Sequence, residues 1–420
     1  MKLRTFTMAL LCGGVGFLTV SCDKEDAGAL VEPQAGFKSA SATNLVAGEG
    51  NFRIDASALA SAKFDCSYDA FSKGLLATYG SDAVEPSACG TTPFNSSITP
   101  YARQFGALEW EWYDLMTQLN QLYMYVDASN QSFGVDGHLT NYAAKHKRNL
   151  ESFWNMPGEI TLKGQHTSTL QNRDAIAAVY LNFTTLNEAQ AYGNADYLIA
   201  NVIEPSEAFK TSPLLSFDGF ATTGDLIVIG DGIVQVMTDA GVDEKVTFAG
   251  ILAHEWGHQV QFNNYTKWYG QRVSTPEATR KTELEADVFS SYYMTHKRGA
   301  TYNWKRAAEF FELFYNIGDC SFTSAGHHGT PNQRLAASRL GWIIAQETQP
   351  MGHVLTADEL HTIFMAALNS VIDNKIDSSE ALANLSTPQM KAVYGKVLNH
   401  KAELQQIASG AIEQSQVKNL

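Results

Sequence analysis

His254-Glu255-Trp256-Gly257-His258 places two imidazoles and a carboxylate within five residues. The surrounding run from Phe248 to Phe262, with Ile251, Leu252 and Ala253 just before the first histidine, reads as a helix. Positions four apart on a helix share a face one turn up, so His254 and His258 stand side by side with Glu255 on the same rim. Two neutral imidazoles and a nearby carboxylate suit a catalytic zinc ion, which needs ligands and a base for the water it activates. The other reading of these five residues is a surface helix carrying two solvated histidines.

A zinc site of this kind needs a third protein ligand. The run Thr282-Glu283-Leu284-Glu285-Ala286-Asp287-Val288-Phe289 offers one, because Glu283 and Asp287 are four apart and share a face. Leu284, Val288 and Tyr292 make the neighbouring surface apolar enough to bury, so a carboxylate beside it needs a partner. A metal would serve Glu283, and Asp287 could accept a hydrogen bond from the distal N–H of a ligand histidine. Glu285 is expected to point elsewhere, on an exposed charged face with Arg280 and Lys281. Further on, Gly326-His327-His328-Gly329 must be a loop. His328 there could donate to the oxyanion of a tetrahedral intermediate, or start a helix with no role at all.

The elements that would hold these residues are legible in outline. Asp243 is the expected N-cap of the histidine helix. Thr275 and Pro276 open the next helix, which is expected to run to Gly299. Before them, Leu226-Ile-Val-Ile229, bounded by Gly224-Asp225 and Gly230-Asp231-Gly232, is the strongest strand. It could lie beside the metal and pair an extended peptide through a free edge, or be an interior strand. Leu108, Trp112, Leu115, Leu119, Leu122 and Val126 form one helical stripe. Asn141 to Phe153 predicts another helix, Ile160 to Leu162 a short strand, and Asn172 a cap before Ala175 to Leu181. Thr356 with Glu359 reads as a capping box opening a C-terminal helix whose apolar face is Ile363, Phe364, Ala367 and Leu368.

His254-Glu255-Trp-Gly257-His258-Gln-Val-Gln261, followed by Glu283-Leu-Glu-Ala286-Asp287, resembles the bacterial neutral zinc metallopeptidases. It is similar, more loosely, to the Ste24-like gluzincins, which share a Glu-x-x-Ala-Asp element. His328-Gly329-Thr330-Pro-Asn-Gln333-Arg334 is similar to a His-Gly-Thr-x-x-Gln-Arg element of the first family. The resemblance covers about Gly224 to Trp342, and Trp256 is bulkier than the residue expected at its position. It implies a zincin-like α+β core, one zinc ion, Glu283 as third ligand and a protein or peptide substrate.

The chain has 420 residues, a net charge of −14 and a hydrophobic fraction of 45%. That supports a sizeable core, and the acidic balance argues against nucleic acid as a partner. Lys2 and Arg4, the apolar run Phe6 to Val20 and Ser21-Cys22 resemble a bacterial lipoprotein signal, although Thr19 replaces the usual leucine. Asp23-Lys24-Glu25-Asp26 resembles the surface-export signal of Bacteroidota lipoproteins. Lipidation of Cys22 would anchor the chain to the cell envelope, at the surface of an outer membrane; the alternative is an ordinary cleaved secretory signal. Cys66 and Cys89 could form a disulfide worth roughly 3 kcal/mol, or remain with Cys320 as buried thiols.

The expected order is therefore a signal at 1–22, a tether at 23–50, a mostly helical region at 51–157, a catalytic core at 158–350 and a helical region at 351–420. The class is α+β, predominantly helical with a small sheet. The expected activity is peptide hydrolysis with Glu255 as general base. A zinc hydrolase of other bonds and a non-catalytic surface binding protein on a peptidase-like scaffold remain the alternatives.

Overall fold

The computed structural model describes residues 93–271, 273, 275–315, 329–349 and 354–420. The expected signal with Cys22, the tether, Cys66, Cys89, Cys320, His327 and His328 lie outside the described residues.

The chain folds as a predominantly helical α+β protein around a three-stranded mixed sheet. Helices α1 (Pro93–Ala102), α2 (Ala107–Val126) and α3 (Thr140–Trp154) lead into strand β1 (Thr161–Gln165). Helices α4 (Arg173–Phe183), α5 (Glu188–Leu198) and α6 (Glu207–Thr211) precede the hairpin of β2 (Gly219–Thr222) and β3 (Leu226–Gly230). Next come α7 (Asp231–Asp239), α8 (Glu244–Tyr269), α9 (Pro276–Thr295), α10 (Trp304–Phe314) and α11 (Pro331–Thr348). Helices α12 (Ala357–Ala367), α13 (Ser378–Asn384), α14 (Pro388–Leu398), α15 (Lys401–Ala408) and α16 (Gln414–Val417) close the chain.

The helices start where side chains can satisfy their first N–H groups. Asp243 accepts from the amides of Lys245 and Val246 at the head of α8, and Thr275 accepts from Ala278 at the head of α9. Asn172 caps α4, and Thr356 and Glu359 form the capping box of α12. The α9 helix ends at Thr295 rather than Gly299, which instead lies in a turn whose amide donates to His296 O.

Strand order is β1-β3-β2, with β1 parallel and β2 antiparallel to β3. Leu226 to Gly230 is thus the interior strand, buried along its length, and has no free edge to offer a peptide. The apolar run needed both faces and both edges covered, which is how a continuous hydrophobic strand is accommodated. Among the described residues the antiparallel edge belongs to β2.

Helices α8 and α9 form the centre. Every residue from Val246 to Gln261 and from Thr282 to Thr295 is buried. A helix buried all round needs no amphipathic stripe, and its neighbours must cover each side. The sheet packs on one side of α8 while α3, α9 and α10 pack on others, and α11 covers α9. One buried cluster runs from Phe105 to Val417 and takes in Trp256, which is fully enclosed, and Ile363, Phe364, Ala367 and Leu368. A second cluster joins α2, α4 and α5 through Trp112, Leu119, Tyr180 and Leu198. Among the described residues no helix is long and apolar enough to cross a membrane.

Candidate metal centre

Gly257 decides how closely α8 and α9 approach. A Cβ at that position would lie 3.1 Å from Ala286 Cα and 3.3 Å from Ala286 O. The two small residues let the backbones touch next to His258 and one turn from Glu283, so the spacing within each motif becomes a contact between them. Gly257→Val is expected to cost about 1–3 kcal/mol by overpacking this crossing, read as a lower denaturation midpoint.

At the crossing, one donor atom from each of His254, His258 and Glu283 lies within 4.8 Å of the others, and all three residues are buried. His254 Nε2 is 3.4 Å from Glu283 Oε2, and His258 Nε2 is 3.4 Å from Glu283 Oε1. The imidazole centroids are 4.8 Å apart and nearly perpendicular. This buried group could hold a metal ion. Glu255 is buried on the same helix, directly after His254.

The far side of each imidazole has its own partner. Gln261 Nε2 donates to Thr282 O (2.7 Å) and Glu285 Oε2 (3.0 Å), so its Oε1 is the free acceptor and takes the Nδ1–H of His258 at 2.9 Å. That leaves the His258 Nε2 lone pair facing Glu283. His254 Nδ1 lies 3.0 Å from Asp287 Oδ1, although the approach is oblique to the N–H direction. Asp287 is fully buried and is gripped by Arg334, whose Nε and Nη2 each donate over 2.9 Å. Arg334 Nη2 also lies 3.4 Å from Glu283 Oε2.

Burial opposes a charge on His254, but Asp287 and Glu283 outweigh it and raise its pKa to about 9 in the metal-free chain. Burial, helped by neighbouring His254, lowers His258 to about 4 against the pull of Glu283. The group therefore attracts one positive charge, carried by a proton on His254 when no cation is present. A metal would displace that proton. Arg334 is held charged in the same way: burial opposes its charge, and Asp287 and Glu283 overcome that opposition.

His254, His258, Glu283 and Asp287 are thus brought together, Glu255 is buried next to His254 on α8, and His328 is not among the described residues. The expected exposed face is a correction. Glu285 is fully buried, bonded to Gln261, Tyr269 and His361, and Arg280 is buried between Glu277 and Asp373. Helix α9 is buried throughout from Thr282 to Thr295, so Glu285 found its partners on other elements, while Arg280 pairs both within α9 and with Asp373.

Three functional neighbours carried no role in the sequence reading. Gln259 Nε2 donates to Thr222 O (3.0 Å) and Leu226 O (2.9 Å), pinning α8 to the β2–β3 hairpin. Gln261 and Arg334 hold the centre from the opposite side. The signal for Gln259 and Gln261 was present as polar residues in a helix otherwise buried all round. Arg334 gave no local signal beyond its place in a quoted motif.

The chain matches no protein-family model, no curated protein and no solved structure.

Proposed function

We propose that the chain is a zinc-dependent peptidase, held at the cell envelope by a lipid on Cys22, that takes its metal at His254, His258 and Glu283. The observation that carries this reading is the buried His254, His258 and Glu283 group. Ligands bound at about 2.0–2.1 Å in tetrahedral directions lie about 3.3 Å apart, and the two imidazole-to-carboxylate distances of 3.4 Å agree with that spacing. Two imidazoles and one carboxylate also suit zinc better than the hard cations, which prefer all-oxygen sets.

A bound zinc ion supplies Lewis acidity, polarising a carbonyl and bringing the pKa of water towards about 7. Glu255 takes the proton from the attacking water and passes it to the leaving amine. Asp287 and Gln261 act on the Nδ1 side of the two histidines and keep both Nε2 atoms directed at the metal. Arg334 balances the Asp287 charge, so the centre has less surplus negative charge when the metal arrives. Strand β2 borders the base: a Cβ at Gly219 would be 3.9 Å from Glu255 Oε1. Its outer edge would pair with an extended peptide and lay the scissile bond along the centre.

Metal analysis of the full chain, combined with digestion of a peptide library with and without chelator, tests the proposal. About one zinc per chain and chelator-sensitive cleavage are expected. Glu283→Ala is expected to lower metal content at least about 10-fold. Unchanged zinc in that variant would move the third ligand elsewhere, and zinc without any peptide cleavage would exclude the peptidase.

A further inference from the structure

A second constellation lies at the other edge of the sheet. Parallel strands β1 and β3 pair Gln165 with Gly230, so the next residues, His166 and Asp231, emerge side by side at the carboxyl ends of both strands. Such ends of parallel strands are where α/β proteins place ligands. His166 Nδ1 is hydrogen-bonded to Asp231 Oδ2, and His166 Nε2 lies 3.1 Å from Ser132 Oγ. Asp231 is the first residue of α7.

Ser132 reaches the histidine from the segment joining α2 to α3, and Gly164 in β1 admits it. A Cβ at Gly164 would lie 2.0 Å from Ser132 O and 3.3 Å from His166 Nε2. The side chains of His166 and Asp231 retain 19% and 10% of their exposure, which leaves the pair sheltered yet reachable. Burial opposes a charge on His166, and Asp231 overcomes this and raises its pKa. Ser132 and His166 line a cavity of about 200 Å³ together with the polar residues Asp127, Ser129, Asn130, Ser168 and Thr169.

We propose that Ser132, His166 and Asp231 are a metal-independent hydrolytic site for esters of short acyl groups with hydroxyl-rich alcohols. The order of contacts is that of an activated serine: nucleophile to base, and base to an orienting carboxylate. In the neutral tautomer with Nδ1–H donated to Asp231, the Nε2 lone pair would accept from the Ser132 hydroxyl. The volume is below the range of about 300–1,000 Å³ usual for larger ligands, hence a short acyl group. The polar lining suits hydroxyls on the alcohol.

In the first half-reaction Ser132 Oγ bonds to the acyl carbon and its proton passes to His166 Nε2. The ester C–O bond then breaks, and the alcohol leaves with that proton. In the second half, water adds to the acyl carbon and gives a proton to His166. The bond from Ser132 Oγ to the acyl carbon breaks, Ser132 recovers the proton and the carboxylic acid departs. No oxidant, reductant or metal enters.

Incubation of the full chain with a fluorophosphonate probe, followed by peptide mass spectrometry, tests the site. One probe per chain is expected at Ser132, and labelling is expected to persist in folded chain stripped with a chelator. That persistence separates this site from the zinc centre, since peptide cleavage would stop under the same treatment. His166→Asn is expected to slow labelling and 4-nitrophenyl acetate hydrolysis together by about 1,000-fold. A folded wild-type chain left unlabelled at Ser132 would overturn the proposal without recourse to any variant. Labelling in His166→Asn within about 10-fold of wild type would overturn it too, because a purely structural histidine predicts that result.

Discussion

Glu255→Gln is expected to keep its zinc and lose peptide turnover by about 100- to 10,000-fold, the usual contribution of a general base. Glutamine has nearly the same shape, so the buried wall around His254 and His258 is preserved and neither metal ligand is touched. What it cannot do is accept the proton of the attacking water. Zinc content and the rate of peptide cleavage should be measured on the same preparation. Full cleavage with zinc retained would remove Glu255 from the mechanism, while loss of zinc would mean that its carboxylate helps to hold the centre.

Arg334→Leu is expected to cost the metal-free protein about 3–5 kcal/mol, because it breaks a buried ion pair and leaves Asp287 with only His254 and Tyr315 beside it. Arg334 also stacks over Tyr315 with its guanidinium 4.5 Å from the ring centroid, so packing is lost with the charge. Urea denaturation with an unchanged slope and a lower midpoint is the check. The double change Arg334→Leu with Asp287→Leu should recover part of the loss, since it removes the stranded carboxylate as well as its partner. A single-variant cost below about 1 kcal/mol would show that His254, protonated, balances Asp287 by itself.

The two predictions probe different parts of one device. Glu255 is the residue assigned to proton transfer in the proposed reaction. Arg334 grips Asp287 behind His254 and lies 3.4 Å from Glu283 Oε2, so it offsets the carboxylate charge around the group.

The sequence by itself determined the helices of the centre, their caps and the donor set. His254, His258 and Glu283 are readable because helical spacing is local: a four-residue repeat turns directly into a shared face. The caps at Asp243, Thr275 and Thr356 are equally local, since each side chain bonds an amide two or three residues away. Strand β3 was legible as a strand for the same reason, though its place in the sheet was not.

The tertiary structure alone decided which edge is free, which charges are buried and what stands behind each histidine. Whether Leu226 to Gly230 has an open edge depends on β1, about sixty residues earlier, and no pattern within the strand reports it. The burial of Glu285 and Arg280 could not be read from their own helix, because Glu285 is partnered from α8 and α12 and Arg280, besides Glu277, from the segment after α12. Ser132, His166 and Asp231 lie far apart in the chain and meet through strand register and a glycine that clears the way. Spacing along a helix is set by bonds within a few residues, whereas contact between elements is set by packing, and only the folded chain settles that.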